Sequence, residues 1–273
     1  MELAEYQGFT DSLTESLGGR PEVLGLVALG SMALRDYAPD RHSDHDFFVV
    51  TRLGAAEMLR SDLSWLPDSE RISFTFRETA HGLKVLYDSG HLLELAVFEP
   101  DELALARVNR YRVLLDRADV TERLTAVAAA TSAVVDKEAE TDEYLVGQFL
   151  TNVLVGVGRW RRGEKLSGRS LVQSGAVRHL LVLLNRHVVS ANAGLLDSLE
   201  PTRRFERVHP LLGAELDDAL SLDLPESAVR LVDLAEWELH KRAPGVEWPT
   251  EAFSLVRQQI SPPPRERRKH PES

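Results

Sequence analysis

Asp44 and Asp46 flank His45 immediately before an apolar run, Phe47 to Val50. Side chains of a strand alternate between its faces, so the two aspartates would project to one side and His45 to the other. Carboxylates this close raise each other's pKa unless a cation lies between them. A hard divalent ion meets that need, and Mg²⁺ takes one or two carboxylates and completes its octahedron with water and phosphate oxygens. Upstream, the apolar run Val23 to Leu29 is short and branched enough to be a buried strand, and it stops at Gly30-Ser31. A glycine at that point lets the backbone approach a ligand closely, and the Ser31 hydroxyl with neighbouring N–H groups can donate to a phosphate. Each half alone is commonplace: Gly-Ser is a frequent turn, and Asp-x-Asp at a strand start is often merely solvated. His42 and His45 fit no His/Cys ligand pattern and read as surface or core residues.

The elements that must position these residues follow from periodicity and turn chemistry. Leu3 to Leu17 reads as an amphipathic helix ended by Gly18-Gly19, and Ala55 to Arg60 as a short helix before Pro67. Arg71 to Arg77 alternates polar and apolar, as a strand with one buried face should. Leu83 to Phe98 has the form of a hairpin around Asp88-Ser89-Gly90, and Arg112 to Asp116 adds a strand. Glu94 lies in the middle of the second hairpin strand, where a carboxylate is costly to bury unless it meets a cation or donor.

From Thr121 onward the pattern is helical: Thr121 to Val135, Asp142 to Arg162 with Thr141 as its cap, Ser167 to Val189, Ser227 to His240, and a last helix from Pro249 to Ile260. The expected organisation is therefore α+β: a mixed-sheet domain over 1–118, an all-α bundle over 119–260, and a disordered Pro- and charge-rich tail over 261–273.

Composition bounds the chemistry. The chain has 273 residues, 43% of them hydrophobic and 27% charged, as in an ordinary globular protein. With no cysteine it has neither disulfides nor thiolate sites, which fits a cytoplasmic location. The N-terminal stretch lacks the basic and apolar regions of a signal peptide, and no apolar run is long enough to span a membrane. A net charge of −11 argues against nucleic acid as a partner and suits a small acceptor better. The composition is compatible with a homodimer as with a monomer.

At Gly30-Ser31 and Asp44-His45-Asp46 the sequence resembles the nucleotidyltransferase superfamily that includes DNA polymerase beta. Its signature is a Gly-Ser or Gly-Gly pair, roughly ten residues, then Asp-x-Asp or Asp-x-Glu between apolar positions; here Met32 to Ser43 supplies twelve residues of spacing. The resemblance implies two Mg²⁺ ions held by Asp44, Asp46 and a third carboxylate on a later strand. Glu94 is the candidate for the third, as metal ligand or as general base, with Glu99 a weaker alternative. ATP or another nucleoside triphosphate would be the co-substrate, with Gly30 and Ser31 at its phosphates.

In the helical half, the stretches 149–184 and 201–220 are similar to lincosamide nucleotidyltransferases, with Arg-Gly-Glu, Arg-Ser-Leu and Thr-x-Arg landmarks in the same order. That implies transfer of AMP to a hydroxyl of a small acceptor such as a lincosamide or aminoglycoside antibiotic, the helices lining the acceptor pocket. Arg162, Lys165 and Arg169 cluster at a helix corner where they would face a triphosphate. Asn152, polar within an apolar helical stretch, reads equally as a satisfied core amide or as an acceptor contact. Two other readings stay open: transfer to a protein or tRNA by an antitoxin-like enzyme, and a non-catalytic nucleotide-binding module. Arg204 and His209 carry the Arg-x4-His spacing of ribonucleases associated with such antitoxins, but six residues match easily by chance.

Overall fold

The computed structural model describes residues 3–34, 38–137 and 140–261. The chain is α+β and divides into two compact units, Met1–Lys137 and Glu138–Ser273. The first is built on a mixed sheet of strands β1 (Val23–Leu29), β2 (His45–Thr51), β3 (Ile72–Arg77), β4 (Gly82–Tyr87), β5 (Leu92–Phe98) and β6 (Tyr111–Asp116), in the order β3-β4-β5-β2-β1-β6. β2 and β5 run parallel and the other neighbours are antiparallel.

Helix α1 (Leu3–Gly18) buries Tyr6, Thr10, Leu13 and Leu17, a stripe at helical spacing, against one sheet face carrying Phe47, Val49, Val85 and Leu93. A short helix α2 (Ala56–Ser61) adds Ala56 and Leu59 to the same core. The opposite face packs Val27, Val50 and Phe98 against Val120, Leu124 and Val127 of helix α3 (Val120–Lys137). This contact corrects the expected boundary at 118. α3 buries its apolar stripe on the sheet, so the first unit runs on through Lys137.

β3 is present as expected but does not have one buried face. As the edge strand it leaves Phe74 58% and Phe76 45% exposed.

The second unit is helical: α4 (Asp142–Arg161), α5 (Lys165–Arg169), α6 (Val177–His187), α7 (Phe205–Val208), α8 (Pro210–Leu220), α9 (Leu224–Arg242) and α10 (Thr250–Ile260). Its core joins Phe149, Val153, Leu180, Leu184, Leu231 and Phe253. Thr141 caps α4, accepting the Tyr144 N–H at 3.1 Å, with acids in the first turn and Arg159 and Arg161 in the last, as the helix dipole favours.

The single helix expected over Ser167 to Val189 is instead interrupted by a π-helical segment, Ser170–Ala176, between α5 and α6. There α4 crosses at backbone contact: a Cβ on Gly168 would sit 2.8 Å from the Gly156 carbonyl oxygen. Among the described residues no helix is long and apolar enough to cross a membrane. The tail expected to be disordered lies, apart from Ser261, outside the described residues.

Candidate functional site

β1 ends at Leu29, and Gly30 opens a 3-10 turn, Gly30–Ala33, with φ +51°, a backbone region that favours glycine. A second reason for glycine is contact: a Cβ here would lie 2.9 Å from Asp46 Oδ2. The carboxylate of Asp46 thus rests on the bare Cα of the glycine corner. Ser31, the next residue, is buried in the same turn.

Asp46 and Glu94 are direct partners in the parallel β2–β5 register, so both project to the same face. Glu94 in turn is opposite Lys84 in β4, and its Oε1 accepts from Lys84 Nζ at 2.9 Å. Lys84 also reaches Glu78 at 3.0 Å, and the hydrogen bonds to Glu94 and Glu78 hold its pKa above the usual lysine range. The cation that a mid-strand carboxylate needs is therefore Lys84.

His45 faces the other way, fully buried between Tyr6 and Phe9 of α1 and Phe47. Its Nε2 lies 3.2 Å from the Tyr6 carbonyl, which can only accept, so Nε2 carries the proton and Nδ1 accepts from His91 Nε2 at 2.6 Å. Burial pushes His45 down to about 3 and His91 down to about 4, with the His91 charge a further cause for His45. Both rings belong to the core that fixes β2. A cavity of about 590 Å³ opens on this α1 side, lined by residues including Tyr6, Phe9, Arg71, Tyr87 and His91.

Three residues that sequence reasoning passed over hold the segments carrying Gly30, Asp44 and Asp46. Tyr6 donates its hydroxyl to the Ser43 carbonyl, one residue before Asp44, and its pKa is raised by burial and by the charge of Asp44. Asp40 organises the approach to the strand: its Oδ1 accepts the His42 N–H at 2.9 Å and its carbonyl accepts the Ser43 N–H at 2.9 Å. Arg112 of β6 donates to the Met32 carbonyl of the glycine turn at 3.3 Å, while its buried Nε has no partner among the described residues. The one available signal was an arginine directly before the apolar run 113–115.

Asp46 projects from β2 at the glycine corner and Asp44 immediately precedes the strand; carboxylates are the donors a hard divalent cation takes while it completes its shell with water and phosphate oxygens. Among the described residues no three His, Asp or Glu side chains converge as a ready-made ligand set. The third expected carboxylate, Glu94, has its Oε1 held by Lys84.

In the second unit Arg162, Lys165 and Arg169 do cluster at the α4–α5 corner, but around an aromatic ring. Lys165 Nζ lies 3.8 Å and Arg169 Cζ 4.9 Å from the Trp160 ring centroid, and Arg162 pairs with Glu164 at 3.1 Å. Arg204 is buried beside Asp197 at 3.8 Å and donates to the Leu195 carbonyl, and His209 is buried as well, its pKa lowered by burial and by Arg242.

No protein-family model and no curated protein matches this sequence. Among solved structures the chain is similar to an aminoglycoside 6-adenyltransferase from Bacillus subtilis, at 13% identity over 92% of this chain and 95% of that one, with a TM-score of 0.38. It is also similar to the CD-NTase CdnG of Bradyrhizobium diazoefficiens in complex with GTP, at 13% identity over 96% of this chain and 86% of that one, with a TM-score of 0.28.

Proposed function

We propose that this protein is a Mg²⁺-dependent nucleotidyltransferase that moves a nucleoside monophosphate, AMP from ATP, to a hydroxyl of a small molecule such as a lincosamide or aminoglycoside. One observation carries the reading: Asp46 rests against the bare Cα of Gly30 while Glu94 stands beside it in register. A purely structural sheet has no need of two acids in register on neighbouring strands with one of them against a left-handed glycine corner.

Asp44 and Asp46 would hold the ions, which when bound neutralise charge on the triphosphate. The N–H groups and hydroxyl of the Gly30-Ser31 turn are assigned to the phosphates, since the absence of a Cβ lets them approach. In the reaction the acceptor oxygen bonds to the α-phosphorus, the bond from that phosphorus to the bridging oxygen breaks, and pyrophosphate leaves. The hydroxyl proton passes to a carboxylate. Glu94 is assigned this role, with Lys84 fixing its direction.

The test is pyrophosphate release from ATP and Mg²⁺ in the presence of lincosamides and aminoglycosides, with labelled ATP to locate the product. Release that depends on one of these acceptors supports the assignment. Label on protein instead of the small molecule overturns the acceptor, and no release under any condition overturns the transferase.

A further inference from the structure

The π-helical segment Ser170–Ala176 lies against α4 in the second unit, and uncharged polar side chains gather where the two meet. π-Helical turns are rare and occur frequently at functional sites. Asn152 of α4 lies flat over Gly175: a Cβ there would be 3.3 Å from Asn152 Nδ2. Among the described residues Asn152 has no hydrogen-bond partner, so it is not a satisfied core amide there.

One turn along, the ring of His179 is locked. Its Nδ1 lies 2.7 Å from the Gly175 carbonyl, which can only accept, so Nδ1 carries a proton and the neutral ring presents the Nε2 lone pair outward. Tyr144, 47% exposed, sets its ring edge-on to His179 at 6.2 Å. Gln148 stands between Tyr144 and Asn152 on α4, at the four-residue spacing that aligns side chains on one helix face.

We propose that this strip of Tyr144, Gln148, Asn152 and His179 binds a neutral polyhydroxylated ring, a sugar or cyclitol. The groups are uncharged, each amide both donates and accepts, as a ring hydroxyl does, and His179 Nε2 accepts from one hydroxyl. The exposed tyrosine face covers the ring's C–H surface. Gly175 keeps the floor flat, where a side chain would displace Asn152. Identifying this ring with the acceptor of the transfer reaction rests on the function proposed above, whereas its binding to the strip does not.

The experiment is long-range ¹H–¹⁵N NMR on the full-length chain without nucleotide or metal. The probes are methyl α-glucopyranoside, methyl α-galactopyranoside and myo-inositol. The expected result is a His179 ring with Nδ1 protonated, an Nε2 resonance and an Asn152 side-chain amide that move together with at least one probe, and binding weakened roughly tenfold, one lost hydrogen bond's worth, in Asn152→Ala. The inference is overturned if none of the three probes moves His179, if the ring shows the opposite tautomer, or if Asn152→Ala and His179→Phe bind the probe as the native chain does. Calorimetry with Mg²⁺ and ATP on the same sample tests the nucleotide site separately. Its failure, with the His179 shifts intact, removes the transferase reading and leaves the strip standing.

Discussion

Asp46 and Glu94 stand side by side across the parallel strands β2 and β5, and that pair is the middle of a line running across the sheet. Lys84 on β4 neutralises the outer side of Glu94, and the Gly30 corner at the end of β1 receives the outer side of Asp46. Neighbouring strands lie about 4.8 Å apart, so the two carboxylates repel unless Lys84 or a bound cation offsets them.

Replacing Asp44 or Asp46 by Asn removes charge without changing size. Either variant is expected to lose about a hundredfold or more in turnover, the scale on which a single electrostatic stabiliser acts, with an unchanged urea midpoint. Steady-state pyrophosphate release beside equilibrium unfolding checks this, and near-normal turnover in Asp46→Asn would refute the site.

Gly30→Ala and Gly54→Ala separate backbone conformation from contact. Both glycines have positive φ, +51° and +80°, but a Cβ at Gly54 meets open space whereas one at Gly30 meets Asp46. Each variant should cost about 1 kcal/mol of stability. Activity is expected to fall only in Gly30→Ala, and equal losses in both would show that the contact with Asp46 is unimportant.

Glu94→Gln keeps the side chain's shape and removes its capacity to take up a proton. Severe loss of turnover with Mg²⁺-ATP binding retained is the expected result, read by calorimetry alongside single-turnover kinetics. Loss of nucleotide binding itself would move Glu94 from proton acceptor to metal ligand.

The buried His45–His91 pair makes stability depend on pH. Both pKa values lie below the ordinary 6.5, at about 3 and about 4, so the unfolded chain binds protons that the folded one refuses. Stability is therefore complete above about pH 6.5 and lost as pH falls toward the folded values. The denaturant midpoint of the first unit should decline between about pH 6.5 and 5, above the range where most carboxylates titrate, and His45→Phe should flatten that slope. An identical slope in the variant would assign the dependence to other groups.

In the helical unit, Gly168→Ala drives a methyl group into the Gly156 carbonyl at 2.8 Å and should destabilise by about 1–3 kcal/mol, as overpacking does. Gly147→Ala, where a Cβ meets nothing, should stabilise α4 by about 0.5–1 kcal/mol through helix propensity alone. Thermal unfolding of both variants distinguishes a contact effect from a general intolerance of alanine.

The local elements were already written in the order of residue types. Alternation put His45 and Phe47 in the core and Asp46 on the other face, Gly30 marked the end of β1, and Thr141 with its acidic neighbours began α4. These are short-range effects of turn chemistry, capping and periodicity, which a chain carries wherever it folds. Tertiary structure alone decided the rest. The register that sets Asp46 beside Glu94 and Glu94 beside Lys84 brings together strands far apart in sequence, and pairing across such distances depends on the whole sheet. The stacking of Lys165 and Arg169 on Trp160, the π-helical break in an apparently continuous helix, and the docking of α3 on the sheet likewise follow from which surfaces bury one another. Residue types limit those choices, but only packing makes them.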